Sequence, residues 1–236
     1  MIIAGLQKMT LLDFPGRVAC TVFLQGCNFR CPFCHNSLLL PMQGEEAMTP
    51  EQLLAFLEKR KGLLDGVCIT GGEPTLSPRL PELLRQIKAL GYPVKLDTNG
   101  SRPDVLRALV EAGLVDYVAM DIKNSPRRYG ETSGCPGLVL AKIEESVAFL
   151  LEGKVEYELR TTVAEGLHRQ EDIREMGIWL AQICPGRKPE KLFLQAFTDR
   201  ETVLQPGFQP LSEAQMLAFR DLLSPYIEAV SIRGLT

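Results

Sequence analysis

The sequence predicts an α/β fold in which a parallel sheet is covered by helices. Short apolar runs alternate with amphipathic helical patterns through almost all of the 236 residues, and this alternation is typical of parallel strands joined by outer helices. About six strand–helix units allow either a partial barrel of the TIM type or an open doubly wound sheet. No G-x-G-x-x-G sequence follows the first strand, which weakens the dinucleotide-binding form of the open sheet.

Six short apolar runs are predicted to be buried strands. They cover residues 18–26, 66–70, 93–97, 115–123, 155–163 and 191–197. A seventh run near the C-terminus, "IEAVSIRG", is a further candidate.

Helices are predicted between these strands. Thr49-Pro50-Glu51-Gln52 resembles a capping box with proline at the first helical position. The next helical pattern and a later one each carry an apolar stripe, and core packing accounts for both stripes. The stripes are Leu80, Leu83, Leu84, Ile87 and Leu90, closed by Gly91, and later Ile173, Met176, Leu180 and Ile183.

Length and composition limit the possible classes of function. The chain is long enough for one large domain, so residues 1–236 are expected to form a single domain. A formal net charge of −3 gives no reason to expect nucleic acid or an anionic membrane as partner. Neither a membrane-spanning run nor a signal peptide is expected. A cytoplasmic, reducing location follows, where clustered cysteines bind metals far more often than they form disulfides.

The polar motifs are predicted to share the edge formed by the carboxyl ends of the strands. A cysteine-rich loop follows the first strand, Gly71-Gly72-Glu73-Pro74 the second and Asp97-Thr98-Asn99-Gly100 the third. Asp121-Ile122-Lys123 ends the fourth strand, and Arg160 lies late in the fifth. A common edge would make these residues one candidate site.

Three of the seven cysteines, Cys27, Cys31 and Cys34, lie within eight residues in "LQGCNFRCPFCHN". Three thiolates are one ligand short of a closed tetrahedral zinc site. His35 could complete a Cys3His site, although adjacent residues such as Cys34 and His35 rarely converge on one small ion. The alternative is a [4Fe–4S] cluster held by three thiolates, which leaves one iron open to a small molecule. The remaining cysteines are isolated: Cys20, Cys68, Cys135 and Cys184.

The spacing C-x3-C-x2-C, with Phe33 just before the last cysteine, resembles the radical S-adenosylmethionine superfamily. The resemblance implies a partial (β/α)6 barrel and one [4Fe–4S] cluster on Cys27, Cys31 and Cys34. It also implies that the open iron binds S-adenosylmethionine, whose reductive cleavage gives a 5′-deoxyadenosyl radical. Phe33 would then pack near the adenine. The turn of Gly71, Gly72, Glu73 and Pro74 would receive the methionine amino group, with Glu73 as acceptor.

Within the superfamily the sequence is similar to activating enzymes of glycyl-radical enzymes. The stretches that carry this likeness include "GLQKMTLLDFPGRVACTVFLQGCNFRCPFCHN", "VKLDTNG", "VDYVAMDIK" and "YELRTTVAEGLH". The resemblance implies that Asp97, Thr98 and Asp121 supply oxygens to a monovalent cation beside the cofactor carboxylate. It places Lys123 near the cofactor ribose and Arg160 near the cofactor. A turn with a helix N-cap is the alternative interpretation of Asp97-Thr98-Asn99-Gly100.

The resemblance implies a glycyl-radical enzyme as partner, with anaerobic ribonucleoside-triphosphate reductase favoured. No further cysteine quartet occurs between Asn36 and Thr49, so a single cluster is expected, reduced by an external donor such as flavodoxin or ferredoxin. Two alternatives stay open: a small-molecule enzyme resembling 7-carboxy-7-deazaguanine synthase, and a non-enzymatic zinc-binding module. His168 is expected at the surface, and Cys135 has no assigned role.

Overall fold

The computed structural model describes residues 1–235 and divides into two compact units. The first unit contains Met1–Asn28, Leu38–Ala119 and Lys154–Glu156. The second contains Phe29–Ser37, Met120–Gly153 and the stretch from Tyr157 onward. The expectation that the whole chain acts as one domain stays a prediction.

Eight strands hydrogen-bond in sequence order, from β1 to β8. They are β1 Ile3–Thr10, β2 Ala19–Leu24, β3 Gly66–Gly71, β4 Val94–Thr98, β5 Tyr117–Asp121, β6 Glu156–Val163, β7 Lys191–Ala196 and β8 Ala229–Arg233. The pairs β2–β3, β3–β4, β6–β7 and β7–β8 are parallel. The predicted α/β class is therefore confirmed, and each of the seven predicted runs overlaps a strand, with β3 and β4 each ending one residue beyond its run.

One strand was not predicted. β1 pairs antiparallel with β2, and its first residue, Ile3, also bridges to Met48. Along β1 only Ile3 and Thr10 are buried, because this strand forms one edge of the sheet order. An edge strand with so few buried positions lacks the apolar run by which the other strands were recognised.

Seven α-helices lie between the strands within residues 1–235. They are α1 Pro50–Glu58, α2 Leu80–Ala89, α3 Pro103–Glu111, α4 Tyr129–Ser133, α5 Leu140–Leu151, α6 Gln170–Ile183 and α7 Glu213–Leu223. The capping box at Thr49 and Gln52 is confirmed, with Pro50 in the first turn. In the described residues no helix is both long and apolar enough to cross a bilayer.

The two faces of the first unit's parallel strands differ in chemistry. On one face Val22, Ile69 and Leu96 are fully buried, and they are neighbours in register across β2, β3 and β4. Burying one such side chain contributes about 2 kcal/mol. On the opposite face Thr21 lies beside Cys68, and Cys68 lies beside Lys95. The apolar face forms part of the core, and the residues named on the opposite face are buried as well.

Candidate functional site

The predicted motifs lie at or just beyond the carboxyl ends of the strands. Gly71 ends β3, Thr98 ends β4 and Asp121 ends β5, and Cys27 follows the end of β2. Arg160 lies within β6. This confirms the arrangement of motifs along the strands, whereas the function of each residue stays a prediction.

The Gly71–Gly72–Glu73 turn is bound to the end of β2 by backbone hydrogen bonds. The Gly72 N–H donates to the Leu24 carbonyl at 2.9 Å, and the Glu73 N–H donates to the Gly26 carbonyl at 2.8 Å. A Cβ atom on Gly72 would lie only 2.1 Å from the Gly26 carbonyl oxygen. Glycine is therefore required here, because the turn approaches the backbone next to Cys27 too closely for any side chain.

Glu73 joins the ends of β3 and β4 through its carboxylate. Its Oε1 accepts from the Thr98 hydroxyl at 2.8 Å and from both the backbone N–H and the hydroxyl of Thr75. Its Oε2 accepts from the Asn99 N–H at 2.6 Å. Burial raises the pKa of Glu73, although these hydrogen bonds oppose the shift. The carboxylate thus organises this part of the site, besides its predicted role as acceptor for the cofactor's ammonium group.

Asn99 extends this network to the first cysteine. Its Nδ2 donates to the Asn28 side-chain oxygen at 2.9 Å and lies 4.0 Å from the Cys27 sulfur. Its own side-chain oxygen accepts from the Ser101 N–H, and Asn28 in turn donates to the Ser101 hydroxyl at 2.9 Å. Asp97 and Thr98 are the last two residues of β4, and the next helix begins at Pro103 with Arg102 as its N-cap. The alternative interpretation of this segment as a turn with a helix N-cap is therefore wrong in its N-cap.

We expect replacement of Glu73 by glutamine to lower the free energy of unfolding by about 2 kcal/mol. The amide would place its own N–H donors against groups that now donate hydrogen bonds to the carboxylate, most directly the Asn99 N–H. Urea unfolding of the chain measures the loss. Glu82→Gln is the control, because Glu82 is exposed on α2 and its replacement should change stability by less than about 0.5 kcal/mol. An equal loss of unfolding free energy in the two variants would show that the hydrogen bonds of Glu73 do not stabilise the chain.

Cys31 and Cys34 lie in the second unit, on a loop held to the end of α4. The Arg30 N–H donates to the Ser133 carbonyl at 2.9 Å, and the Cys31 sulfur lies 3.6 Å from the same oxygen. A Cβ atom on Gly134 would lie 2.0 Å from the Arg30 carbonyl oxygen. Close backbone contact at a glycine thus positions Cys31, as it positions the backbone beside Cys27 in the first unit.

The pKa values of both thiols are shifted upward. Burial raises the pKa of Cys31 to about 11, and the nearby charge of Lys123 opposes the shift. Burial likewise raises the pKa of Cys34, again opposed by Lys123. Since a metal binds the thiolate, these buried thiols require a positively charged partner, and Lys123 provides one.

Asp121, Lys123 and Arg160 form a charged cluster beside these thiols. The Asp121 carboxylate accepts from Lys123 Nζ at 2.9 Å and from Arg160 Nε at 3.1 Å. Burial alone would raise the pKa of Asp121, but the two cations outweigh it and lower the pKa to about 2. Burial would lower the pKa of Lys123, yet Asp121 and Cys31 raise it well above its usual range. Asp121 and Lys123 are therefore both charged at neutral pH.

The expectation of a surface position for His168 is wrong, because the residue is only 3% exposed. Its Nδ1 accepts from the Ala164 N–H at 3.2 Å, and its Nε2 lies 2.9 Å from the Lys123 carbonyl oxygen. The ring also forms a T-shaped contact with Phe33, with centroids 6.1 Å apart. Burial lowers the pKa of His168, so a neutral imidazole positions both the Lys123 backbone and Phe33.

Asp97 is paired with a buried lysine. Lys95 Nζ donates to Asp97 Oδ1, and the Cys68 sulfur lies 3.8 Å from the same oxygen. Lys95 had no predicted role. Its position two residues before Asp97 on a strand was the available signal, because alternate residues share a face.

The side chains present fit the donor chemistry of an iron–sulfur cluster. Cys27, Cys31 and Cys34 form no disulfide, and cysteine thiolates are the ligands that hold iron–sulfur clusters. In residues 1–235 no group of three or more His, Cys, Asp or Glu is arranged to hold a metal ion. The three-cysteine ligand set therefore stays a prediction from the sequence. His35 contacts the Thr198 carbonyl oxygen through its Nε2 and stacks on Phe197.

Comparison with solved structures supports the fold. A domain of the pyruvate-formate lyase-activating enzyme from Bacteroides vulgatus superposes with a TM-score of 0.57 at 22% identity, covering 72% of this chain and 99% of that one. At this level of identity the likeness concerns the fold alone.

Two curated relatives align with much of the chain. A Methanocaldococcus jannaschii protein named as a glycyl-radical enzyme activating enzyme is 33% identical over 179 residues, covering 74% of this chain and 73% of that protein. A 7-carboxy-7-deazaguanine synthase of Thermococcus kodakarensis is 28% identical over 241 aligned residues, covering 93% of this chain and 84% of that protein.

The family follows from a direct match. Residues 21–176 match the family model described as the Radical SAM superfamily. The matched region is more than half of the chain and includes the three clustered cysteines and the Gly71–Pro74 turn. The match argues against the non-enzymatic zinc module. This chain is an enzyme of the radical S-adenosylmethionine superfamily.

Proposed function

We propose that this enzyme is an activase that installs a glycyl radical on a partner protein. The observation that carries the proposal is the similarity, over about three quarters of both chains, to the M. jannaschii protein named as a glycyl-radical enzyme activating enzyme. In the proposed reaction a hydrogen atom leaves the Cα of a partner glycine and forms the new C–H bond of 5′-deoxyadenosine. Delocalisation over the neighbouring amide groups stabilises the glycyl radical that remains.

Cys27, Cys31 and Cys34 would hold one [4Fe–4S] cluster, with S-adenosylmethionine at the iron that lacks a protein ligand. When bound, the reduced cluster supplies the electron that cleaves the sulfonium of S-adenosylmethionine and generates the 5′-deoxyadenosyl radical. The family supports both cofactors.

The chain's own residues would stabilise the ligands and orient the cofactor. Lys123 offsets the cost of a buried thiolate at Cys31. Asn99 offers an amide donor toward the Cys27 sulfur, which tunes a cluster ligand. Phe33, Gly71, Gly72, Pro74 and Arg160 are proposed to contact the cofactor, as the resemblance implies. The Lys123 and Arg160 contacts to Asp121 fix the orientation of both cations.

Anaerobic ribonucleoside-triphosphate reductase is the partner that we propose. No additional cysteine quartet lies between Asn36 and Thr49, so electrons would come from an external donor such as flavodoxin or ferredoxin. Residues 1–236 would act as one catalytic domain in a reducing cytoplasm, without nucleic acid or membrane as partner.

The test is activation of the reductase by anaerobically reconstituted enzyme. Reductant, S-adenosylmethionine and the partner should together produce 5′-deoxyadenosine and an electron paramagnetic resonance doublet on the partner. A partner in which the radical-bearing glycine is replaced by alanine is the control and should give no doublet. Release of 5′-deoxyadenosine without a glycyl signal on the reductase or on pyruvate formate-lyase would contradict the activase proposal.

A second candidate function is formation of 7-carboxy-7-deazaguanine. The alignment with the T. kodakarensis synthase covers more of this chain than the alignment with the activating enzyme, at lower identity. Assay of the same reconstituted enzyme for 7-carboxy-7-deazaguanine decides between the two functions. We expect no product.

A further inference from the structure

A lysine lies almost completely buried in the first unit, within β4. Lys95 is only 1% exposed. Burying an ammonium group is unfavourable unless an opposite charge and hydrogen-bond acceptors compensate it. Its Nζ donates to Asp97 Oδ1 and lies 3.9 Å from the Cys68 sulfur. Asp97 is therefore the charge partner that makes this burial possible.

The geometry of the strand brings the ammonium group to the carboxylate. Lys95 and Asp97 are two residues apart on β4, so their side chains share one face of the sheet. Cys68 lies beside Lys95 in register on β3. The intervening Leu96 points to the opposite, apolar face and is fully buried. A fixed positive charge thus lies at Asp97 as a consequence of strand register.

Thr98 is also engaged by groups of the protein. Its hydroxyl donates to Glu73 Oε1 at 2.8 Å and accepts from the Gly100 N–H at 3.1 Å. A hydroxyl has one donor and two acceptor sites, so two of its three sites are used within the first unit.

The contact between Lys95 and Asp97 does not fit the cation site that the resemblance implies. Such a site needs oxygens that turn toward a metal ion, whereas Asp97 Oδ1 already accepts from Lys95. We propose that the ammonium group of Lys95 takes the place of the monovalent cation at Asp97, so that the enzyme binds S-adenosylmethionine without sodium or potassium. A second cation beside this ammonium group would be repelled, because like charges at such distances interact unfavourably in a partly buried site.

The inference rests on S-adenosylmethionine as cofactor and is independent of the partner. Reconstituted enzyme is prepared with choline as the monovalent cation, and the Kd for S-adenosylmethionine is measured by equilibrium dialysis. Exchanging choline for about 100 mM sodium or potassium at constant ionic strength should change the wild-type Kd by less than about twofold. In Lys95→Met the Kd in choline should rise at least about tenfold and recover in a saturable way on adding sodium or potassium.

Lys88→Met is the matched control. Lys88 also pairs with an aspartate, Asp116, at 2.6 Å, but it is partly exposed and precedes β4. We expect its replacement to leave the Kd unchanged in both buffers. A merely structural role of Lys95 predicts a loss of affinity that no cation restores, and that result would overturn the inference. If S-adenosylmethionine binding to the wild-type enzyme required sodium or potassium in a saturable way, that result would also overturn the inference.

A direct measurement of ion binding separates this inference from the proposed function. Thallium(I) resembles potassium and reports binding through its nuclear magnetic resonance signal, without cluster or S-adenosylmethionine. We expect no saturable thallium binding to the wild-type chain. Binding that disappears in Asp97→Asn would overturn the inference even if the enzyme never cleaves S-adenosylmethionine. This wild-type measurement also decides the matter if Lys95→Met does not fold.

Discussion

Replacing Cys31 by serine is expected to abolish cluster binding and to lower formation of 5′-deoxyadenosine by at least about a thousandfold. Two thiolates would remain, and a serine hydroxyl is a much poorer ligand for iron. Cys31 is also the thiol whose buried thiolate Lys123 is placed to stabilise. Iron and sulfide analysis of anaerobically reconstituted protein measures the first loss, and chromatography of the nucleoside product measures the second.

Cys184→Ser serves as the control for this experiment. Cys184 follows the end of α6 and is partly exposed, and it lies outside the three-cysteine motif. We expect full iron content and unchanged product formation. Cys31→Ser protein that retains four irons and wild-type cleavage would show that the ligand set is wrong.

Replacing Gly72 by alanine is expected to reduce the free energy of unfolding by about 3 kcal/mol and to impair cluster binding. The added Cβ would lie 2.1 Å from the Gly26 carbonyl oxygen and 2.6 Å from its carbon. Neither atom belongs to a flexible side chain, so the backbone itself must move. Such a movement breaks the Glu73–Gly26 backbone hydrogen bond. It also displaces Cys27, which directly follows Gly26 in the chain. Urea unfolding and iron analysis together measure both effects.

Gly137→Ala is the matched control for this substitution. Gly137 is exposed, and a Cβ atom there would meet no other atom within 4 Å. The variant should differ from wild type by less than about 0.5 kcal/mol and should bind a full cluster. A Gly72→Ala protein with equal stability would contradict the close approach between the two loops.

Local patterns explain why much of the fold was predictable. A run such as "VACTVFLQG" is apolar because β2 is buried, and a capping box at Thr49 satisfies backbone donors at the start of α1. The same principle fails for β1. Its side chains are mostly partly or fully exposed, so no local pattern distinguishes it, and only its antiparallel pairing with β2 makes it a strand.

The sequence predicted which residues belong to the candidate site better than it predicted which groups those residues contact. Motif spacing singled out Glu73 and Asp97, but the partners of each come from other elements or from the strand face. Glu73 accepts from Asn99, which is distant in sequence. His168 was expected at the surface because a single histidine in a glycine-containing loop carries no burial signal. Its burial against Phe33 and the Lys123 carbonyl depends on long-range packing.

The sequence alone determined the superfamily, the order of the seven strands from β2 to β8, and the motif residues near their carboxyl ends. It could do so because periodicity, capping and cysteine spacing are local properties of the chain. Only the tertiary structure decided that Lys95 neutralises Asp97, that His168 is buried, and that Gly72 touches the backbone beside Cys27. These are contacts set by burial and strand register, and their energies depend on which groups folding removes from water.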